Sequence, residues 1–196
     1  MKYDGQFVDD FYEGEGKLYA LGESLIYDGL WKGGLYQSKG KIFLENGIVY
    51  YEGDFDGGVS FFLFSFGQQQ MKVFSGNGKM QFENGILYYQ GEFSGGKYHG
   101  QGTLYSRTGI VFYKGGFVNG LYDGVGKIYM ENGRVYYEGE FSEGIEQGQG
   151  IYYDRKGNVR YQGVFRDGKV VGKDQDETGD GIGVLLLGDA SATKND

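Results

Sequence analysis

The sequence predicts an all-β fold, an elongated single-layer antiparallel β-meander of tandem hairpin repeats of about 24 residues. Three observations lead there. The pattern Tyr-x-Gly-x-aromatic is written seven times, at Tyr3-Gly5-Phe7, Tyr27-Gly29-Trp31, Tyr51-Gly53-Phe55, Tyr89-Gly91-Phe93, Tyr113-Gly115-Phe117, Tyr137-Gly139-Phe141 and Tyr161-Gly163-Phe165. Successive copies start 24 residues apart, except for a gap of 38 between Tyr51 and Tyr89. A period in the twenties marks an array whose units bury a core only against their neighbours. Composition agrees: 40 Gly, 19 Tyr and 15 Phe with no Pro in 196 residues fit neither collagen nor a disordered chain, which lacks aromatics.

Within one repeat, residues 124–141 read G-V-G-K-I-Y-M-E-N-G-R-V-Y-Y-E-G-E-F. Asn132-Gly133 is a strong hairpin signal, expected as a type I′ turn with positive φ at both central positions. Counting outward sets Glu131 opposite Arg134, Met130 opposite Val135, Tyr129 opposite Tyr136, Ile128 opposite Tyr137, Lys127 opposite Glu138, Gly126 opposite Gly139 and Gly124 opposite Phe141. Side chains alternate faces. Ile128, Met130, Val135, Tyr137 and Phe141 therefore share one face with the glycines, and the pairs Lys127/Glu138 and Glu131/Arg134 lie on the other, each worth up to about 1 kcal/mol. The same count around Asn46-Gly47 pairs Lys41 with Glu52 and Lys39 with Asp54, and around Asn84-Gly85 it pairs Met80 with Tyr89. In the first repeat Gly22-Glu23 is expected as a type II′ turn. The in-phase glycine between two rings leaves a notch into which a ring from an adjacent strand can lie.

These residues resemble the MORN repeat (membrane occupation and recognition nexus), whose pattern is Y-x-G-x-[FW]-x-x-G-x-x-x-G-x-G followed by a short strand and a glycine turn. The unit from Tyr113 carries it as Tyr113, Gly115, Phe117, Gly120, Gly124, Gly126 and Gly133; that from Tyr137 as Tyr137, Gly139, Phe141, Gly144, Gly148, Gly150 and Gly157. The unit from Tyr89, with Gly91 and Phe93, follows the same phase. The E-N-G turns followed by Tyr-Tyr resemble a related bacterial-type variant. The resemblance covers residues 3–172 and implies an open, single-layer meander. Residues 1–172 are thus read as the repeat array, about seven copies with an insertion at about 59–72, and residues 173–196 as an acidic C-terminal tail. Ser38 stands where the first glycine of a Gly-x-Gly pair belongs.

Candidate interaction residues form a second aromatic row, expected on the face away from the Tyr-Gly-Phe motif: Phe43 with Tyr50, Tyr105 with Phe112, Tyr129 with Tyr136, and also Tyr88 and Tyr153. Two aromatic faces on one layer imply a partner, a covering segment or self-association, unless the rings are there for mutual stacking alone. The insertion carries the most apolar run, 61–66 (Phe61, Phe62, Leu63, Phe64, Ser65, Phe66). It reads as an extra structural segment, as a docking loop for a membrane or partner, or as intron sequence read through as coding. His99, the single histidine, is expected in a solvated loop. Asp174, Asp176 and Asp180 resemble the start of a calcium loop, yet Leu185 stands where its twelfth residue must be Glu.

No Cys and one His leave little basis for a metal or catalytic site, so no cofactor and no enzymatic activity are expected. The start of the sequence has no apolar run of signal-peptide length, and a cytoplasmic location with cytoskeletal or membrane association is expected. Net charge is −8, which disfavours nucleic acid, and no Lys/Arg cluster of the kind phosphoinositides need stands out. The functional expectation is a non-catalytic scaffold or protein–protein interaction module of unknown partner, with a homodimer expected. The competing expectation is a peripheral membrane-binding protein using the 61–66 run.

Overall fold

Each Tyr-x-Gly-x-aromatic copy forms the first strand of a hairpin, and the segment after it, Gly-x-Gly in all copies but the second (Ser38-x-Gly40) and the last, forms the second. The structure, a computed structural model, describes residues 1–57 and 74–171. Among these residues the strands are β1 (Lys2–Val8), β2 (Phe11–Tyr19), β3 (Leu25–Lys32), β4 (Leu35–Phe43), β5 (Val49–Phe55), β6 (Phe74–Gln81), β7 (Leu87–Ser94), β8 (Lys97–Tyr105), β9 (Val111–Val118), β10 (Leu121–Tyr129), β11 (Val135–Ser142), β12 (Ile145–Tyr153), β13 (Val159–Arg166) and β14 (Lys169–Val170). All 14 join one antiparallel sheet in chain order. The fold is the expected open meander.

The register runs one glycine row straight across the sheet: Gly5, Gly16, Gly29, Gly40, Gly53, Gly78, Gly91, Gly102, Gly115, Gly126, Gly139, Gly150 and Gly163, each opposite the next. Rings lie over this row. A Cβ on Gly115 would fall 2.6 Å from the Tyr113 Oη, and one on Gly126 2.3 Å from the same atom. The first Tyr of a copy therefore covers both its own glycine and the facing one on the next strand. Its phenol donates to the carbonyl three residues ahead, from Tyr27 to Leu30 at 2.9 Å, Tyr89 to Glu92 at 2.9 Å and Tyr113 to Gly116 at 3.0 Å. A buried hydroxyl needs such a partner, which is why Tyr and not Phe fills this position.

One layer buries a core because each hairpin builds an aromatic cell with the next. Tyr27 stacks on Tyr36 at 3.9 Å, with Trp31 of its own copy edge-on at 5.0 Å and Phe55 of the following copy at 5.5 Å. Tyr113 repeats this with Tyr122 at 3.9 Å, Phe117 at 5.1 Å and Phe141 at 5.4 Å. Such pairs add about 0.5–1.5 kcal/mol each beyond burial. Tyr27, Tyr51, Tyr89, Tyr113 and Tyr137 have no exposed surface. The Tyr-Gly-Phe face thus covers itself by the mutual ring stacking that was one of its two expected readings.

The turns differ from those expected. In the Asn-Gly turns from which the register is counted only the glycine has positive φ, as at Gly133 (78°) and Gly47 (81°). Gly133 N–H donates to the Met130 carbonyl at 2.9 Å and Met130 N–H to the Arg134 carbonyl at 2.8 Å, which closes a three-residue loop with a glycine bulge. The Asn side chain selects it, since Asn132 Oδ1 accepts the Arg134 N–H at 3.0 Å. Ala20 and Ser24 close the first loop the same way, so Gly22-Glu23 is no type II′ turn. Type I′ geometry instead lies on the opposite edge of the sheet, at Gly33-Gly34 (56°, 78°), Asn119-Gly120 (53°, 89°) and Glu143-Gly144 (50°, 89°).

The odd loop is compensated by a bulge. Tyr129 pairs with Val135, not Tyr136, and Ile128 then pairs with Tyr137 as expected, leaving Tyr136 as the extra residue. Beyond the bulge the expected register holds through Gly124 and Phe141. Lys39–Asp54, Lys41–Glu52 and Lys127–Glu138 form ion pairs as expected. Arg134 instead reaches along the turn edge to the Arg155 carbonyl at 3.3 Å and to the Lys156 carbonyl. The insertion run 61–66, residues 59–72 as a whole and the tail 173–196 lie outside the described residues.

Candidate interaction faces

The two faces have different chemistry. On the core face lie the repeat residues Tyr89, Gly91, Phe93, Tyr113, Gly115, Phe117, Gly126, Tyr137, Gly139 and Phe141, all committed to the aromatic cells or the glycine row. Gly124 has a different task. A Cβ there would meet nothing within 4 Å, but its φ of 75° shapes the bulge before the ring-covered Gly126. Ser38 holds the same conformation at 54° without being glycine.

The expected second aromatic row is split by the bulges. Tyr50, Tyr88, Phe112 and Tyr136 are the extra residues and turn toward the core face, where they pack against the buried cluster. Tyr136 lies 5.0 Å from Tyr152, and Tyr88 lies 6.2 Å from the buried Tyr98. Their assignment to the other face is corrected: a residue doubled against one partner does not alternate. Phe43, Tyr105, Tyr129 and Tyr153 keep the expected side, half-buried and paired across strands with Val49, Val111, Val135 and Val159.

That polar face carries a charge ladder flanking the glycine row. Asp4, Lys17, Asp28, Lys41, Glu52 and Lys79 face one another in succession, alternating in sign. The ladder continues through Gln90, Thr103, Lys114, Lys127 and Glu138. Glu138 accepts from Lys127 and, at 2.6 Å, from the Tyr153 hydroxyl. Those two bonds hold its carboxyl below the usual range, and the same carboxylate pushes Lys127 up.

Three further features escaped the sequence reading. Asp54, Glu92 and Glu140, the residue after each motif glycine, accept backbone N–H groups of the next strand, from Asn77 at 3.1 Å, Gln101 at 2.8 Å and Gln149 at 2.9 Å. The acid recurring in Tyr-x-Gly-acid-Phe was the available signal. Glu146 occupies the stacking position that Tyr98 and Tyr122 fill in other hairpins and is 5 % exposed. Tyr152, placed where Leu104 and Ile128 sit elsewhere, swings its ring to 5.1 Å from both Tyr137 and Phe165 and donates to Glu146 at 3.2 Å. Burial pushes the Glu146 carboxyl up. His99 is half-buried in β8, not in a solvated loop, and its Nδ1 lacks a hydrogen-bond partner among the described residues. It sits where Glu13, Asp123 and Gln147 accept turn N–H groups 20 residues ahead, at Gly33, Glu143 and Asp167.

The family profile of the MORN repeat matches residues 3–20, 27–49, 71–86, 89–111, 113–133 and 137–159, together more than half of the sequence. The chain belongs to the MORN repeat family. Repeats of this family occur in scaffold and interaction modules and are generally non-enzymatic. No matched segment begins at Tyr51 or Tyr161, although both MORN tyrosines lie over their glycines as the others do. Comparison with curated proteins gives no match. Among the described residues no three His, Cys, Asp or Glu side chains gather as a metal site requires, and no helix is long and apolar enough to cross a membrane.

Proposed function

We propose that this MORN array is a non-catalytic scaffold that binds protein partners through its polar face. The observation that carries this reading is the contrast between the faces. The aromatic face is closed on itself and offers stability, whereas the polar face sets half-buried Phe43, Tyr105 and Tyr129 beside a charge ladder with no second layer over them among the described residues. Aromatic rings are enriched at protein interfaces, where polar groups form the rim. The acids of the ladder stand opposite lysines, as strand-pairing charges do. Cross-linking mass spectrometry on the native cell tests the reading. Partner cross-links should fall on Lys41, Lys79, Lys114 or Lys127 and weaken in a Tyr105→Lys, Tyr129→Lys variant. Cross-links confined to other surfaces, unaffected by that variant, would remove the polar face from consideration.

A further inference from the structure

The alternation of the charge ladder fails in the middle of the sheet, as well as at its end, where Glu138 is followed by Ile151 and Gln162. In the β2–β3, β4–β5 and β10–β11 hairpins the ladder pair is Lys with acid, and all three pairs are closed: Lys17–Asp28 at 3.3 Å, Lys41–Glu52 at 3.1 Å, and Lys127–Glu138. In the two central hairpins the acid is missing. Lys79 faces Gln90, and Thr103 faces Lys114. Among the described residues neither Lys79 nor Lys114 makes an ion pair, and both are exposed. An open cleft of about 570 Å³ lies over this break. Its floor is Gly78, Gly91 and Gly102, and Asn77, Gln90, Gln101 and Thr103 add amide and hydroxyl groups between the two lysines. Glu52 closes one end but is already paired with Lys41. Tyr105 forms part of the wall.

We propose that this cleft binds an extended acidic peptide of a partner protein, with one carboxylate on Lys79 and a second on Lys114. The spacing defines the ligand. Lys79 and Lys114 lie three strands apart, roughly 14 Å at about 4.8 Å per strand. An extended chain covers that distance in about four residues at ~3.4 Å each, and residues four apart point to the same side. The motif is therefore two acids at i and i+4. The side-chain amides and Thr103 that line the cleft can pair with the peptide backbone. A bilayer fits less well, because the two lysines of the cleft fall short of the cluster of about 4–8 basic residues that anionic lipid recognition takes.

This names the partner chemistry of the scaffold and rests on that reading. A fluorescein-labelled Ser-Gly-Asp-Gly-Ser-Gly-Asp-Gly-Ser peptide, titrated with the full chain at low salt and followed by anisotropy, tests it. Binding should weaken as salt is raised and should be absent for the Asn-for-Asp peptide. Lys79→Gln with Lys114→Gln should lower affinity roughly tenfold without changing the circular-dichroism spectrum. Gln90→Glu, which restores a Lys–acid pair at Lys79, should lower it as well. Equal binding of both peptides, or unchanged affinity in both variants, overturns the proposal. If phosphatidylserine vesicles bind through these lysines and the peptide does not, the cleft takes lipid headgroups and the proposal falls. If Asp176→Asn with Asp180→Asn tightens peptide binding, the chain's own tail is the occupant and the partner assignment falls. A failed titration leaves the cross-linking test intact, whereas failed cross-linking removes the scaffold reading itself.

Discussion

Gly126 lies beneath the Tyr113 ring, so a side chain there has to displace the phenol that bonds Gly116. Gly126→Val should cost about 1–3 kcal/mol by overpacking, while Val125→Thr, at a position 71 % exposed, should leave the melting temperature nearly unchanged. Equal melting temperatures would refute the ring-over-glycine packing. Glu146 gives a second expectation. Its folded-state carboxyl titrates above the ordinary value because it is buried, so its contribution to stability is fully present below the unfolded pKa and is lost as pH rises through the folded one. Glu146→Gln, which can still accept from Tyr152, should therefore raise the melting temperature at neutral pH. The gain should shrink as pH falls through the carboxylate range, and a gain independent of pH would contradict it.

The hairpin is held at both ends by backbone conformations that few residues adopt. Ser38 has a φ of 54°, where Gly76, Gly100, Gly124 and Gly148 stand in later hairpins at 54°, 57°, 75° and 70°. A left-handed conformation costs a non-glycine residue about 1–2 kcal/mol. Ser38→Gly should thus stabilise the protein by up to about 1 kcal/mol in urea unfolding, the remainder being offset by the extra freedom of glycine in the unfolded chain. The carboxylates that accept N–H groups beside these glycines act at the same scale. Glu92→Ala leaves the Gln101 N–H without its 2.8 Å partner and should cost roughly 1 kcal/mol.

Across the whole molecule, the β5–β6 pair has the register of every other hairpin although 14 extra residues separate its strands: Phe55 faces Phe74 as Phe93 faces Tyr98. Deleting residues 59–72 leaves Asp56-Gly57-Gly58-Val73 between those rings, which matches Lys32-Gly33-Gly34-Leu35. The shortened chain should keep its β circular dichroism and gain about 1–2 kcal/mol from easier loop closure. Collapse of the spectrum would show that the segment fills a structural gap. For assembly in the absence of a partner, we propose a homodimer through the polar face, competing with the acidic peptide for it, since the core face is already closed. Tyr129 and Tyr136 prove to lie on opposite faces, so Tyr105→Lys with Tyr129→Lys is the variant that probes one face. Light scattering should give twice 21.8 kDa for the wild type and 21.8 kDa for the variant. A wild-type mass of 21.8 kDa would refute the dimer.

The repeat, the strand order and the register were legible in the sequence because they follow from local rules. A 24-residue period fixes the unit, and alternation about Gly126 and Gly139 fixes which residues meet. Lys127 with Glu138 and Lys41 with Glu52 could be paired by counting, since each pair lies within one hairpin. What counting about a turn cannot reveal is a bulge that cancels an odd loop. The distal register is the same with or without it, and only the bulged residue and the one before it, Tyr136 and Val135 in this hairpin, change face. Tyr50, Phe112 and Tyr136 were therefore misplaced while Phe43, Tyr105 and Tyr129 were not. Contacts between copies were equally hidden, because they join residues about 20 apart or a copy with its successor: Glu13 with the Gly33 N–H, Tyr27 with Phe55. The sequence determined the hairpin, through periodicity and turn chemistry that act within a few residues. The tertiary structure decided which face is core and which is open, because that depends on how neighbouring hairpins share one row of rings.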